Sequence, residues 1–205
     1  FNFLTLKKNK RKELKFKDNN YHLIEVDFKS CEPFFYLLSN NFTVDNNDVY
    51  EWIARKYDID ISKRDKIKRG ILSMIYGANE YTISKVMGIK KSKVELIKDE
   101  LGIYKLKKVL SDQFSQKGYV YNFYGRPITN NNNLVNYWIQ SSTVDFCSFA
   151  FVNFIKTYKV KPCFFIHDSL TFAIEKSRMS DISDVTYFKD PISNIKIPVE
   201  FNIIS

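Results

Sequence analysis

Long apolar runs are missing from the 205-residue sequence: no stretch of 18 occurs, so no segment is expected to cross a membrane as a helix. Cysteine is scarce. Cys31, Cys147 and Cys163 are odd in number and show no C-x-x-C spacing. Neither a disulfide framework nor a zinc site is therefore expected, and a reducing, intracellular setting is favoured. No secretory leader is recognisable, because residues 1–20 are basic and alternating rather than an apolar core flanked by small residues. Residue 1 is Phe, not Met, which suggests a processed chain or a piece of something longer. No internal repeat is visible. Acidic residues are outnumbered, 23 against 32 Lys and Arg, and the net charge of +9 suits a polyanionic partner such as nucleic acid.

Apolar and aromatic side chains are plentiful, at 44% and 16%, which supports a packed core and argues against disorder. The length fits one large domain or two small ones. Residues 1–6 and 14–17 read as short basic strands around a turn at 7–12, followed by a buried strand over 21–28 with Asp27 near its end. A helix is expected over 32–39, a polar loop over 40–47, and a helix capped by Asp48. Further helices are predicted over 82–87, 91–101 and 104–114, broken at Gly88 and Gly102. A strand and turn occupy 118–126, and a long, mostly buried helix runs from 134 to about 158. Two strands, 163–167 and 170–174, form a hairpin with Asp168 at its tip, and 197–201 forms one more strand.

Between Ser62 and Gly77 the residues Arg64, Lys68, Leu72 and Tyr76 recur every four positions. On an α-helix such side chains drift only ~40° per step and share one face over ~18 Å. Two cations followed by a flat ring suit a triphosphate followed by a base. A solvated helix face is the plain alternative. Gly77 stands where a helix C-terminal glycine would.

Asp27 and Asp168 both sit at predicted strand ends. If those strands pair, the carboxylates can approach and bind hard divalent cations, which take one or two carboxylates plus substrate phosphates. Two such ions can activate an attacking hydroxyl and steady a leaving oxygen. Each aspartate alone could equally be a turn or cap residue.

The order of these features resembles the palm and fingers of family A DNA polymerases, the polymerase I and T7-like phage group. Val26-Asp27-Phe28-Lys29-Ser30-Cys31-Glu32 comes first, then Arg64-x3-Lys68-x3-Leu72-x3-Tyr76-Gly77. Gly118-Tyr119-Val120 leads to Gly125-Arg126, then Asn136-x3-Gln140 with Asp145, and finally Phe165-Ile166-His167-Asp168-Ser169. The resemblance covers about residues 14–201. It implies an α+β fold in which an antiparallel palm sheet carries the catalytic aspartates and a helical fingers segment is inserted. Residues 1–47 and 118–205 would form the palm and 48–117 the fingers. The implied activity is template-directed addition of dNTPs to a primer 3′-OH on primer–template DNA.

By the same resemblance, Asp27, Asp168 and the Phe28 carbonyl would hold two Mg²⁺ ions, with Mn²⁺ as a substitute. Arg64 and Lys68 would grip the triphosphate, and Lys68 would protonate pyrophosphate. Leu72 and Tyr76 would border the nascent base pair, Gly77 would allow a pivot, and Glu32 would crowd the sugar 2′ position. Arg126, Asn136, Gln140 and His167 would touch primer–template DNA; an internal network is the other reading of the two amides, and a satisfied core histidine that of His167.

Departures are specific. Leu72 stands where the family has Phe or Tyr, which should alter nucleotide preference, and Ser169 replaces the Glu of His-Asp-Glu. Lys29, Cys31 and Pro33 replace the usual Ser, Ile and Leu. No thumb or exonuclease region is recognisable, so another polypeptide or a longer chain is expected to supply them. Two other readings stay open: a non-catalytic polymerase-like subunit, and a helix-turn-helix DNA-binding protein built on residues 82–94. The Asn/Lys/Ile-rich wording points to an AT-rich genome, as in phage-infected bacterial cytoplasm or an organelle.

Overall fold

The computed structural model describes Lys10, residues 13–45 and residues 48–205. The strand expected over 1–6, and most of the turn expected at 7–12, lie outside the described residues. The chain divides into two compact units: residues up to Cys31 together with Phe146–Ser205, and the intervening Glu32–Asp145. The fold is mixed α+β.

In the first unit β1 (Tyr21–Phe28) is the central strand of an open sheet. Its neighbours are β4 (Lys161–Ile166), β5 (Ser169–Glu175), β6 (Tyr187–Lys189) and β7 (Lys196–Ile203), in the order β4-β5-β1-β7-β6. All pairs are antiparallel. Successive strand residues point to opposite faces, so Ile24, Val26 and Phe28 share one face and Leu23, Glu25 and Asp27 the other. On the first face Phe28, Phe172, Phe188 and Phe201 meet Phe146, Phe151 and Phe154 of a helix, with ring centroids 4.3 to 6.3 Å apart. Burying one such ring contributes about 1.5–3 kcal/mol. That aromatic layer fixes the pleat and turns Asp27 to the opposite face, which it shares with buried Leu23 and Glu25.

Two expectations change here. Residues 14–17 form no strand; they approach β1 through a turn in which Asp18 accepts from the Asn20 amide at 2.9 Å. β6 was not anticipated, since three residues are too few to show alternation. Pro162 is tolerated because β4 is an edge strand, and the register shifts between Pro162 and Phe164.

The second unit is built from α1 (Cys31–Ser39, from Glu32 on), α2 (Val49–Lys56), α3 (Arg64–Ile75), α4 (Glu80–Met87), α5 (Lys91–Glu100) and α6 (Ile103–Lys117). A two-stranded ribbon, β2 (Val120–Tyr121) and β3 (Pro127–Ile128), and the start of α7 (Leu134–Tyr158) complete it. Asp48 caps α2, accepting from the Tyr50 and Glu51 amides at 2.9 and 3.2 Å. α3 buries Ile67, Gly70, Ile71, Met74 and Ile75.

Residues 32–47 and 118–145 cluster with the helices, not with the sheet. Phe35 packs on Phe123 and Tyr124, and the Tyr36 hydroxyl donates to the Leu101 carbonyl at 2.7 Å. α7, although apolar on most sides, leaves Tyr137, Val144, Phe149 and Val152 exposed. Its sheet-facing rings occupy only one side.

Candidate active site

Asp27 pairs in register with Ser169 on one side and Glu200 on the other. Asp168 immediately precedes Ser169, in a two-residue turn closed by the Ile166–Ser169 pair. The Phe28 amide donates to the Asp168 carbonyl at 3.1 Å. Opposed Cα atoms in such a ladder lie about 4.5–5.5 Å apart, and one further residue adds at most about 3.8 Å. The two aspartates therefore sit within about a nanometre, and both are half-buried.

Left-handed backbone flanks them: Ser30 has φ 51° and His167 φ 54°. Each such non-glycine residue costs on the order of 1 kcal/mol. The Ser169 hydroxyl donates to the Ile166 carbonyl at 3.1 Å, so the residue that replaces the expected Glu closes its own turn. The Phe28 side chain is consumed by the core, leaving only its backbone beside the acids. No group of three or more His, Cys, Asp or Glu among the described residues is arranged to hold a metal. A pair of carboxylates still fits a hard ion whose remaining ligands are water and phosphate oxygens.

In the helical unit α3 carries Arg64 and Lys68 exposed and Leu72 half-buried, and Tyr76 follows at its C-terminus, 37% exposed. Arg64 is already engaged: Nε donates to Asp48 Oδ2 at 2.7 Å, and its guanidinium stands 5.4 Å from the Tyr50 ring centre. The Tyr76 hydroxyl donates to Glu32 Oε2 at 2.5 Å. Burial pushes that hydroxyl's pKa up, the Glu32 carboxylate adds to the rise, and Gln140 bonds to it with the opposite effect. Glu32, Tyr76 and Gln140 thus form one cluster. Gly77 (φ 82°) and Ala78 end the helix with amides donating to Met74 and Ser73 carbonyls at 3.1 and 2.9 Å.

Arg126 is tied down on the same unit, with Nε donating to Asp145 Oδ2 at 3.0 Å and a second nitrogen to the Ser141 carbonyl at 2.9 Å. Asn136 has a buried side-chain oxygen with no partner among the described residues. The residue that sequence reasoning passed over is Asn122. It is buried, donates to Asp145 at 2.6 Å, and accepts from the Tyr124 and Arg126 amides at 3.0 and 2.8 Å. Its only signal was an Asn four positions before Arg126 in a turn.

The α4–α5 pair is less available than its basic sequence suggested. Lys91 pairs with Glu95 at 3.3 Å, Lys93 donates to the Asp58 carbonyl at 2.8 Å, and buried Lys98 holds Glu80 at 2.7 Å. The Lys98 hydrogen bond, with help from backbone and Tyr104, lowers the Glu80 pKa to about 2. A depressed carboxylate stabilises the fold above its unfolded pKa and loses that contribution as pH falls through the folded value. Stability should therefore drop between about pH 4.5 and pH 2 by more in wild type than in Glu80→Gln, measured by urea unfolding at each pH.

The architecture is an open antiparallel sheet with a helical unit inserted in the chain. Among solved structures it resembles the POL domain of Pol1 from M. smegmatis, determined in complex with DNA primer-template and dNTP. The match has a TM-score of 0.63 at 15% sequence identity and covers 98% of this chain. This chain spans 44% of that one. No family model matches the sequence, and no curated protein does either.

Proposed function

We propose that this chain is the palm and fingers part of a family A DNA polymerase that adds dNTPs to a primer 3′-OH on a DNA template by two-metal nucleotidyl transfer. The observation that carries this reading is the register of β1 with β5, which sets Asp27 beside the Asp168 turn. Its resemblance to a polymerase domain solved with primer-template and dNTP supports the choice of substrates.

In this reading Asp27, Asp168 and the Phe28 carbonyl hold Mg²⁺, or Mn²⁺ in its place. When bound, such ions lower the pKa of the attacking hydroxyl and neutralise charge on the transferring phosphoryl group. Arg64 and Lys68 orient the triphosphate, and Lys68 carries a proton to the departing pyrophosphate. Arg64 must exchange Asp48 for phosphate to do so. Leu72 and Tyr76 border the base, while Arg126, Asn136, Gln140 and His167 contact primer–template DNA. Residues 1–47 and 118–205 act as palm and 48–117 as fingers, inside a reducing intracellular compartment. Thumb and exonuclease functions come from another polypeptide or a longer chain.

The Tyr76–Glu32 hydrogen bond supports a gate, because it fixes the carboxylate that would crowd a 2′-hydroxyl. Glu32→Ala should raise ribonucleotide use relative to deoxynucleotide by about 10² or more, since one such contact discriminates by a few kcal/mol. Competitive single-nucleotide incorporation reads the ratio, and equal discrimination would remove the gate.

A non-catalytic subunit is the second reading, favoured by Ser169 in the hairpin. Incubation of this chain with a primed template, dNTPs and Mg²⁺ separates the two. Duplex binding with no extension in Mg²⁺ or Mn²⁺ would leave only the structural role.

A further inference from the structure

Cys31 and Cys147 lie 116 positions apart, yet their sulfurs meet at 3.5 Å within the sheet-bearing unit, where either thiol can donate to the other. The residues are 2% and 1% exposed, and neither is in a disulfide. The remaining cysteine, Cys163, is exposed on the edge strand β4, where its thiol donates to the Lys161 carbonyl at 3.8 Å. A disulfide bond is about 2.05 Å long, so the two buried sulfurs need to close by roughly 1.5 Å. Cysteine is a small side chain with one χ torsion setting the sulfur, and a rotation of that torsion spans such a gap.

We propose that Cys31 and Cys147 form an oxidation site, a dithiol that a low-molecular-weight disulfide converts into an intrachain bond. One thiolate attacks the small disulfide and expels one small thiol, which carries off a proton. The second thiolate then attacks the mixed disulfide and expels the other. The protein loses two electrons and two hydrogens, and the small disulfide is reduced to two thiols.

The position gives the bond its consequence. The chain leaves the sheet-bearing unit after Cys31 and returns at Phe146. The new bond would therefore enclose the whole helical segment 32–145 in one covalent loop, anchored four residues beyond Asp27. It does not depend on the polymerase reading, and its test needs no activity.

The test exposes native Cys163→Ser protein to glutathione disulfide, then maps tryptic peptides without reduction. The expected result is a peptide pair linked through Cys31 and Cys147, lighter by two hydrogens and reversed by dithiothreitol. Closing a loop of this length should raise the thermal midpoint by about 10 °C. Cys31→Ala and Cys147→Ser, either of which serves as control, should show neither change. The proposal is overturned if both thiols remain alkylatable on unfolding after oxidation, if the reaction halts at a glutathione adduct, or if the link forms only in urea.

Discussion

In the proposed polymerase, Asp168→Asn is expected to cut primer extension by about 10²–10³-fold while the protein still folds. The substitution keeps the size of the side chain, removes its charge and replaces one accepting carboxylate oxygen with an amide NH2. Much of the rate of phosphoryl transfer comes from stabilising charge on the group in flight, and loss of one preorganised stabilising group typically costs about 10²–10³. Asp27→Asn should behave the same way, because the register sets both residues on neighbouring backbone. Single-turnover extension and thermal unfolding, measured on the same preparations, separate the possibilities. Unchanged extension would rule out the metal assignment. A lower midpoint with unchanged extension would make the aspartate a turn residue and nothing more.

Gly70→Ala should destabilise the helical unit by about 1–2 kcal/mol in urea unfolding. Gly70 faces inward on α3, and a Cβ built there lies 2.1 Å from Met87 Cγ and 2.5 Å from its sulfur. Met87 is fully buried at the end of α4, so its side chain has little room to withdraw. Overpacking of this kind costs about 1–3 kcal/mol and occasionally more. The gain in helix propensity on replacing glycine offsets no more than about 1 kcal/mol of it. A double-mutant cycle gives the cause. Met87→Ala alone should destabilise by opening a cavity, but in the Gly70→Ala background it should recover part of the loss. If the two changes add, the helices are not in contact through this pair.

The parts of the molecule legible in sequence were those governed by a short period. The β-rich run over 21–28 was legible as a buried strand, and the four-residue spacing from Arg64 to Tyr76 placed those side chains on one helix face. Caps were legible where one residue suffices, as at Asp48 and Gly77. Contacts between distant residues carried no such signal. The Glu32–Tyr76 bond joins positions 44 apart, and the partners of Arg64 and Arg126 lie on other elements. Cys31 and Cys147 met for the same reason without any local spacing to announce them. The packing of Phe35 on Phe123 and the Tyr36 bond to Leu101, which draw α1 to the helices, carry no local signal either. Two-residue strands and β6 are too short for any periodicity to register.

The end of the cationic helix has one more consequence. Asn133 donates to the Tyr76 carbonyl at 2.6 Å, and its side chain lies within 3.0 Å of where a Gly77 Cβ would stand. Glycine is thus required twice, for its left-handed turn and for this latch. Any swing of the helix tip must first unfasten the amide, so its mobility is gated by a loop that is nearly all asparagine.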